Sequence, residues 1–440
     1  MEIQEWINKN SNIKGYAHFD TRISLKEVFN EVTDSNFIIK HAFMPFIHYS
    51  LTFHKFSKLN GRKDKIRQLY YSAHYDRCIY QYYSYLLNER YNEKASLLNI
   101  NNVAIAYRTN LQKNNIHFAK EAFDFIKQQE HCFIIVGDFK DFFDTLEHNY
   151  LKQKLCELLE VEVLPNDYYK VFKSITKYSY VNLQDILSFY GLEDTLPNRK
   201  KLNSKEVIMP IQKLRQHKDL IQTNKNSFGI PQGSAMSAIL SNIYMLDFDV
   251  KIKNYVQKFG GKYFRYSDDT IFIFPIDDDK SILKIHSEIR KMIQSIPNLV
   301  LQTEKTKIYS YKGGTLKNRD SLLGERIDDK NIIDYLGFSF DGLKISIRDK
   351  TISKYFYRAY KKADTIVKNG GYTHKGTKIS CKNLYRVYTL KGSNPNKNQG
   401  NGNFLSYVKR CRQVFGKNEN VDKVINTYYG KIKRRLKNEL

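Results

Sequence analysis

The sequence has no run of about 18 apolar residues, the length a bilayer-crossing helix requires, so no transmembrane segment is expected. Its first residues, Met1-Glu-Ile-Gln-Glu-Trp6, lack the basic and then apolar regions of a secretory signal. Cysteine is sparse: Cys78, Cys132, Cys156, Cys381 and Cys411 are odd in number, and no pair has Cys-x-x-Cys spacing. A disulfide framework or structural zinc is therefore not expected, and a reducing cytoplasm fits. No internal repeat is visible. Acidic residues are in deficit, 46 Asp and Glu against 72 Lys and Arg, for a formal charge of +26. That imbalance predicts a polyanionic partner, and without a membrane signal the partner is nucleic acid rather than an anionic membrane.

What is present is a globular composition, 41% hydrophobic and 14% aromatic over 440 residues, enough for two or three structural units. The positive charge is concentrated near the end. From Leu343 to Leu440 there are 24 Lys and Arg against 5 Asp and Glu, a net of +19, which suggests a separate nucleic-acid-gripping region. There, basic residues interleave with Tyr355, Tyr357, Tyr360, Tyr385 and Tyr388, a mixture suited to backbone tracking and base stacking. A flexible tract, Lys391 to Gly402, interrupts it.

In chain order, residues 1 to 60 read as mixed helix and loop, with His18, His41, His48 and His54 in no metal-binding spacing. A basic cluster from Arg62 to Arg77 precedes a helix from Cys78 to about Arg90. Arginine forks match phosphate oxygens, so this cluster is a candidate triphosphate clamp, although such a cluster alone is more often a solvated turn. Asn102 to Arg108 reads as a short strand, and Asn115 to Gln129 as a helix with apolar spacing. His131-Cys-Phe-Ile-Ile-Val-Gly-Asp138 is a buried strand with Asp138 just past its end. Asp144 reads as the N-cap of a helix beginning near Leu146. Residues 150 to 225 look largely helical, with a basic polar loop from Leu196 to Leu202. In Gly229-Ile-Pro-Gln-Gly-Ser234, glycine and proline set a turn and Ser234 caps a helix running to about Asp249.

The stretch that organises the rest is Gly261 to Phe274, in which two β-branched and aromatic runs flank Tyr266-Ser-Asp-Asp269. This is a hairpin with two adjacent carboxylates at its turn. Such like charges are best tolerated where a cation neutralises them, and hard oxygen ligands suit Mg²⁺. Taken alone, an Asp-Asp turn is usually solvated. A helix from about Lys280 to Ser295 follows, then Glu304-Lys-Thr-Lys307, where a lysine could protonate or neutralise a leaving phosphate, and then a hairpin strand from Asp334 to Phe340.

In this order the motifs resemble the reverse transcriptases. Asp138-Phe-Lys-Asp-Phe-Phe-Asp144 resembles their first catalytic motif, Gly229–Ser234 their nucleotide-binding turn, and Tyr266–Asp269 their metal-binding hairpin. Glu304–Lys307 is similar to the lysine motif, Tyr335-Leu-Gly-Phe338 to the primer-grip hairpin, and Arg67 to Arg77 to the basic fingers motif, with Ser72 where proline is common. The resemblance covers roughly residues 60 to 340, and such motifs in order are far more specific than any one.

The resemblance implies an α+β right-hand polymerase with fingers, an RRM-like antiparallel palm and a mainly helical basic thumb. The implied domains are residues 1–130 for an N-terminal extension and fingers, 131–342 for the palm with 150–225 contributing in part to the fingers, and 343–440 for the thumb. It also implies roles. Asp138 and Asp268 would bind two Mg²⁺ ions, or Mn²⁺, with Asp269 assisting and Phe139 lending its carbonyl. Phe143 would stack under the sugar and exclude a 2′-hydroxyl, Gln232 and Gly233 would meet the incoming dNTP, Arg67 and Arg77 would hold its triphosphate, and Lys305 would act near the pyrophosphate.

The chain is expected to be too short to add an RNase H domain to a full thumb. The hairpin has serine at its second position, where retron and intron enzymes usually have alanine, and the Val-Thr-Gly signature of retron thumbs is absent; the stretch Ala104–Arg108 and the long segment between the first two motifs resemble the bacterial abortive-infection and defence-associated group. That group implies anti-phage DNA synthesis on an RNA template, in some members a dedicated noncoding RNA, with a protein hydroxyl as primer in others. A partner protein or a second copy is left open. The alternatives are a retron or group II intron-derived enzyme, and a catalytically idle RNA-binding scaffold.

Overall fold

The computed structural model describes residues 3–57, 61–324, 330–371, 381–393, 402–416 and 419–437. The strands among them are, in chain order, β1 (Phe46–Ser57), β2 (Gly61–Tyr71), β3 (His131–Asp138), β4 (Ser179–Asn182), β5 (Gln222–Thr223), β6 (Lys262–Tyr266), β7 (Asp269–Phe274), β8 (Lys307–Lys312), β9 (Thr315–Asn318), β10 (Ile333–Tyr335), β11 (Phe338–Phe340) and β12 (Ile345–Ile347). The chain divides into two compact units. One comprises residues 1–111, 139–254 and 288–302, and the other residues 112–138, 255–287 and 303–440.

The first unit is built on a sheet of order β2-β1-β4-β5. Its largest part is a long antiparallel hairpin, β1 with β2, in continuous register from Ile47↔Tyr71 to Ser57↔Gly61. This corrects the expectation of helix and loop up to residue 60 and of a basic turn after it. Ile47, Tyr49, Leu51 and Phe53 alternate with His48, Ser50, Thr52 and His54, which is the period of a half-buried strand. Ile47 enters a core with Ala17, Phe19, Val181, Leu187 and Met209.

The helix expected at Cys78–Arg90 runs from His74 to Leu97 and buries Ile79, Tyr83, Leu87, Tyr91 and Ala95 at four-residue spacing. Asn102–Arg108 is a turn rather than a strand. The buried Arg108 guanidinium holds it, donating to the Asn101 carbonyl at 3.2 Å and the Ala104 carbonyl at 3.3 Å, and backbone groups tied by a side chain need no strand partner. Leu196–Asn203 is a helix, not a loop: the Thr195 hydroxyl accepts from Asn198 N, and Pro197 falls in the first turn, where its missing N–H costs nothing. The helix capped by Ser234 ends at Tyr244, and a separate helix, Leu246–Gln257, follows Met245.

The second unit carries a five-stranded antiparallel sheet of order β6-β7-β3-β8-β9. The apolar run of β3 is explained by its central place, since both faces are covered. The helix Asn115–Lys127 begins with a capping box between Asn114 and His117, and Phe123 stacks on Phe340 at 4.9 Å. A smaller sheet, β10-β11-β12, contains the expected hairpin. Its two turn residues, Leu336 and Gly337, both have positive φ, the geometry that matches strand twist in two-residue hairpins.

The C-terminal part contains the helices Asp349–Lys368, Lys382–Tyr388, Phe404–Phe415 and Glu419–Lys437. The first and last of these pack together, with Arg435 bonded to Asp364 at 2.6 Å. Most of the tract from Lys391 to Gly402 lies outside the described residues. Among the described residues no helix is long and apolar enough to cross a membrane.

Candidate active site

In the second unit, strand register places two of the expected carboxylates side by side. β3 pairs with β7 so that Asp138 is opposite Asp269, and β6 pairs with β7 so that Tyr266 is also opposite Asp269. Ser267 and Asp268 are thus a two-residue turn. Ser267 has φ +60° and is buried, with its carbonyl accepting from Arg265 Nη1 at 3.2 Å. A non-glycine residue in this region costs about 1–3 kcal/mol, and it persists because buried neighbours over-determine it. The turn thereby presents Asp268 to Asp138, and their carboxyl groups lie in hydrogen-bond reach.

Two such acids cannot both ionise at little cost. The Asp268 carboxyl is raised by burial and then by the charge of Asp138. Asp269 is pushed up to about 7, by burial first and then by the charges of Asp268 and Asp138, with Arg348 and Lys305 acting in the opposite sense. The residue keeps an open side to solvent, which is the side a cation would reach. Lys305, at the end of a short 3₁₀ turn, donates through Nζ to Asp138 Oδ2, whereas Asp138 Oδ1 is buried with no hydrogen-bond partner.

An unpartnered buried carboxylate oxygen beside a second acid fits a hard cation. Among the described residues, however, no three His, Cys, Asp or Glu side chains converge into a ready ligand set. The chain offers a pair, Asp138 and Asp268, with Asp269 to one side and the Phe139 carbonyl next in sequence.

The raised acids bear on stability. Both folded pKa values exceed the unfolded ones; for Asp269 the native state binds more protons between about pH 4 and pH 7, and its contribution to stability falls as pH rises through that window. A cation bound there competes with the protons. Mg²⁺ is therefore expected to raise the thermal midpoint more at pH 8 than at pH 5.5. Differential scanning fluorimetry of the wild type and Asp138→Asn checks this, and an equal Mg²⁺ effect in both proteins would place the cation elsewhere.

In the first unit, a second set of residues gathers at the Gly229–Ser234 turn. Ile230 N donates to the Phe143 carbonyl at 2.9 Å, and Tyr70 N to the Gln232 carbonyl at 2.8 Å. Gln232 Nε2 points to Asp144 Oδ2 at 3.5 Å. Asp144 does not cap a helix; it lies in the short helix Phe142–Thr145, and Glu147 caps the next one by accepting from Asn149 N and Tyr150 N. A glutamate is an uncommon cap, so the shorter aspartate was the better guess from sequence. The Asp144 carboxyl is raised to about 6 by burial and by Asp141. Phe143 is half-buried, with the buried Phe142 ring 5.5 Å away.

Gly233 has φ +117°, and a Cβ there would collide with the Tyr70 carbonyl oxygen. Gly233→Ala is expected to cost about 3 kcal/mol, at the upper end for single substitutions, read as a lowered urea midpoint. A midpoint within error of wild type would mean that this close approach carries no stability.

The two arginines of the proposed clamp are placed differently. Arg77 is buried and donates to the Ile23 carbonyl at 3.0 Å and, at longer range, to Asn12 O and Gln81, so it ties down the N-terminal segment. Arg67 is exposed on β2, with its guanidinium 5.7 Å from the Phe53 ring centroid, on the face opposite Tyr70 by strand alternation. The structure does not bring either to Gln232.

Sequence reasoning missed Tyr70, Asp144 as a site carboxylate, the fully buried Arg265 beneath the Asp268 turn, and Tyr335, whose buried hydroxyl lacks a hydrogen-bond partner and is pushed far up by burial and by Asp269. Arg265 had one available signal, a cation on a strand beside the apolar pair Tyr263 and Phe264.

Residues 93–340, more than half of the chain, match the family described as reverse transcriptase (RNA-dependent DNA polymerase). The chain belongs to that family, a family of nucleotidyltransferases, and its α+β fold is that of a right-hand polymerase with an antiparallel palm sheet and a mainly helical basic C-terminal region. No curated protein sequence matches it. Among solved structures it is similar to the apo telomerase of Candida tropicalis truncated of its C-terminal domain, at 13% identity and a TM-score of 0.40, covering 74% of this chain and 61% of that one. It is also similar to the Candida albicans telomerase in complex with a TWJ fragment of telomeric RNA, at 12% identity and a TM-score of 0.40, covering 99% of this chain and 72% of that one.

Proposed function

We propose that this protein is an RNA-directed DNA polymerase that adds deoxynucleotides to a 3′ end, or to a protein hydroxyl, by phosphoryl transfer. The observation that carries the reading is the Asp138–Asp268 carboxyl pair, with an unpartnered buried Asp138 oxygen and with Lys305 on the other oxygen. Phosphoryl transfer asks a protein for positioning and charge neutralisation more than for covalent chemistry.

Asp138 and Asp268 would hold two Mg²⁺ ions, or Mn²⁺, with Asp269 and the Phe139 carbonyl assisting. Those ions would supply charge neutralisation at the transferring phosphate and activation of the attacking hydroxyl. Lys305 offers an ammonium to the leaving pyrophosphate. Phe143, backed by Phe142, lies under the sugar and excludes a 2′-hydroxyl. Gln232 and the backbone at Gly233 contact the incoming dNTP. Arg67, an exposed cation of the β1–β2 hairpin, would have to swing from its place over Phe53 to meet the triphosphate, whereas Arg77 is spent on the chain's own carbonyls and leaves that set.

For the biological role, we favour that of the bacterial defence-associated group. Support comes from Ser267 in the hairpin, from Ala104–Arg108, and from the long segment between the first two motifs. The template would be RNA, in some members of this group a dedicated noncoding one, and the +19 segment after Leu343 would grip it. The role would be carried out in the cytoplasm, with a partner protein or second copy where required. Plaque counts on cells carrying the gene and its flanking DNA test this role. Protection lost with Asp268→Asn supports it, and equal plaque counts with and without the wild-type gene across a broad phage panel oppose it.

A further inference from the structure

A cavity of about 550 Å³ lies within the C-terminal helical region, among Thr351–Arg358, Arg386–Gly392 and Gly402–Phe404. Its volume is in the range of small-molecule sites. Three cations line it, Lys354, Arg358 and Arg386, and no carboxylate does among the described residues. Lys354 and Arg358 are four residues apart, so they stand on one face of the helix Asp349–Lys368. All three are exposed, and their side chains have neither ion pair nor hydrogen bond among the described residues. Of the acids on the helices of this region, Asp364 pairs with Arg435 and Asp422 with Arg412, and Asp349, at the start of the helix that carries Lys354 and Arg358, does not line the cavity.

The rest of the wall is aromatic. The buried Tyr355 ring meets Phe404 at 4.6 Å and Tyr388 at 5.9 Å between centroids, and the Tyr355 hydroxyl is committed to the Tyr388 carbonyl at 2.6 Å. The tyrosine therefore offers its ring rather than its hydroxyl. Phe404 and Tyr388 are only half-buried and keep surface free for stacking.

The wall is also well braced. Asn403 Nδ2 donates to the Arg386 carbonyl at 3.0 Å and the Thr389 carbonyl at 2.7 Å, while its side-chain oxygen caps the helix Phe404–Phe415. A Cβ at Gly392 would collide with the Arg386 backbone, so the chain closes tightly behind the cations.

Unpaired cations beside aromatic rings, with no competing acid, select a ligand that is anionic at one end and planar at the other. We propose that this cavity is a binding site for a single nucleoside monophosphate unit, with Lys354, Arg358 and Arg386 on the phosphate and the Phe404 and Tyr388 rings on the base. The unit comes either from the 5′-phosphorylated end of a nucleic-acid strand or from a free nucleotide. The site is separate from the acids of the palm sheet and does not depend on polymerase activity.

Fluorescence anisotropy of the full chain tests it, with a 3′-labelled RNA 10-mer carrying either a 5′-phosphate or a 5′-hydroxyl, and with unlabelled AMP as competitor. The 5′-phosphorylated strand is expected to bind about tenfold more tightly, the factor that ~1.4 kcal/mol gives. Arg358→Ala and Arg386→Ala should each remove most of that difference, weakening the 5′-phosphorylated strand several-fold more than the 5′-hydroxyl strand, and Phe404→Leu should weaken the 5′-phosphate preference. AMP that displaces the strand as well as an unlabelled 5′-phosphorylated 10-mer does would identify the free nucleotide as the ligand, and a strand displaced only by the 10-mer would identify the strand end. Equal binding of both strands, with no displacement by AMP, would overturn the proposal. So would arginine variants that weaken both strands alike, because these residues would then contribute only to sequence-blind backbone attraction. Since the readout is binding, failure here leaves the polymerase reading untouched, and loss of incorporation would leave this one untouched.

Discussion

Asp268→Asn is expected to lower deoxynucleotide incorporation by on the order of 10³-fold or more, while the protein folds at least as well as wild type. The two effects separate because one property causes both. Asp268 and Asp138 are held in hydrogen-bond reach, and burial and mutual charge raise the Asp268 carboxyl. At neutral pH an ionised Asp268 therefore opposes folding, and an amide of the same shape relieves the repulsion. What the amide cannot do is neutralise a cation or share one with Asp138. Rate and thermal midpoint should accordingly move apart: a rate near zero, with a midpoint unchanged or higher. Single-turnover incorporation and scanning fluorimetry on the same preparation check this. A lowered midpoint would trace the lost activity to misfolding, and activity within tenfold of wild type would remove Asp268 from the chemistry.

Phe143→Ala is expected to lower discrimination against ribonucleotides by on the order of 10²-fold, with a smaller effect on dNTP use. The backbone at Phe143 is fixed by the bond from Ile230 N to its carbonyl, and the buried Phe142 ring stands 5.5 Å away, so the side chain has limited room to yield. A half-buried phenylalanine also loses less on truncation than the 3–5 kcal/mol typical of a core position, and a cost of about 1–2 kcal/mol leaves a folded protein to assay. The measurement is the ratio of kcat/KM for dCTP over CTP. A ratio equal to wild type would show that sugar selection is made elsewhere, and Tyr70, joined to the Gln232 turn, would be the next residue to test.

The parts of the fold legible in the sequence were those carried by local pattern. The five apolar residues of β3, the Tyr266–Asp269 turn and the spacing of the helix from Asn115 each state their structure directly, because strand burial and helix period act over a few residues. β1 was equally well written in alternating Ile47, Tyr49, Leu51 and Phe53, but its histidines and the basic residues of β2 obscured the pairing.

Arg77 shows a different difficulty. It looks like a phosphate ligand in sequence, yet it is buried and donates to the Ile23 carbonyl, 54 residues away in the chain. A guanidinium has five donors and serves either purpose equally well, so only the tertiary surroundings decide. In the same way, the motifs named Asp138, Asp268 and Asp269, but the contact of Lys305 with Asp138 depends on a pairing across more than 160 residues.

The most direct test of the central claim is incorporation by the purified chain with whatever nucleic acid accompanies it, in Mg²⁺ and labelled dNTPs supplied singly and together, beside the Asp268→Asn/Asp269→Asn protein. A product made by the wild type alone, dependent on Mg²⁺ and abolished by prior RNase treatment, is the predicted result. Product from both proteins, or RNA bound tightly by the wild type with no incorporation on either the accompanying nucleic acid or an added primed RNA template, would contradict the polymerase account and favour a binding scaffold.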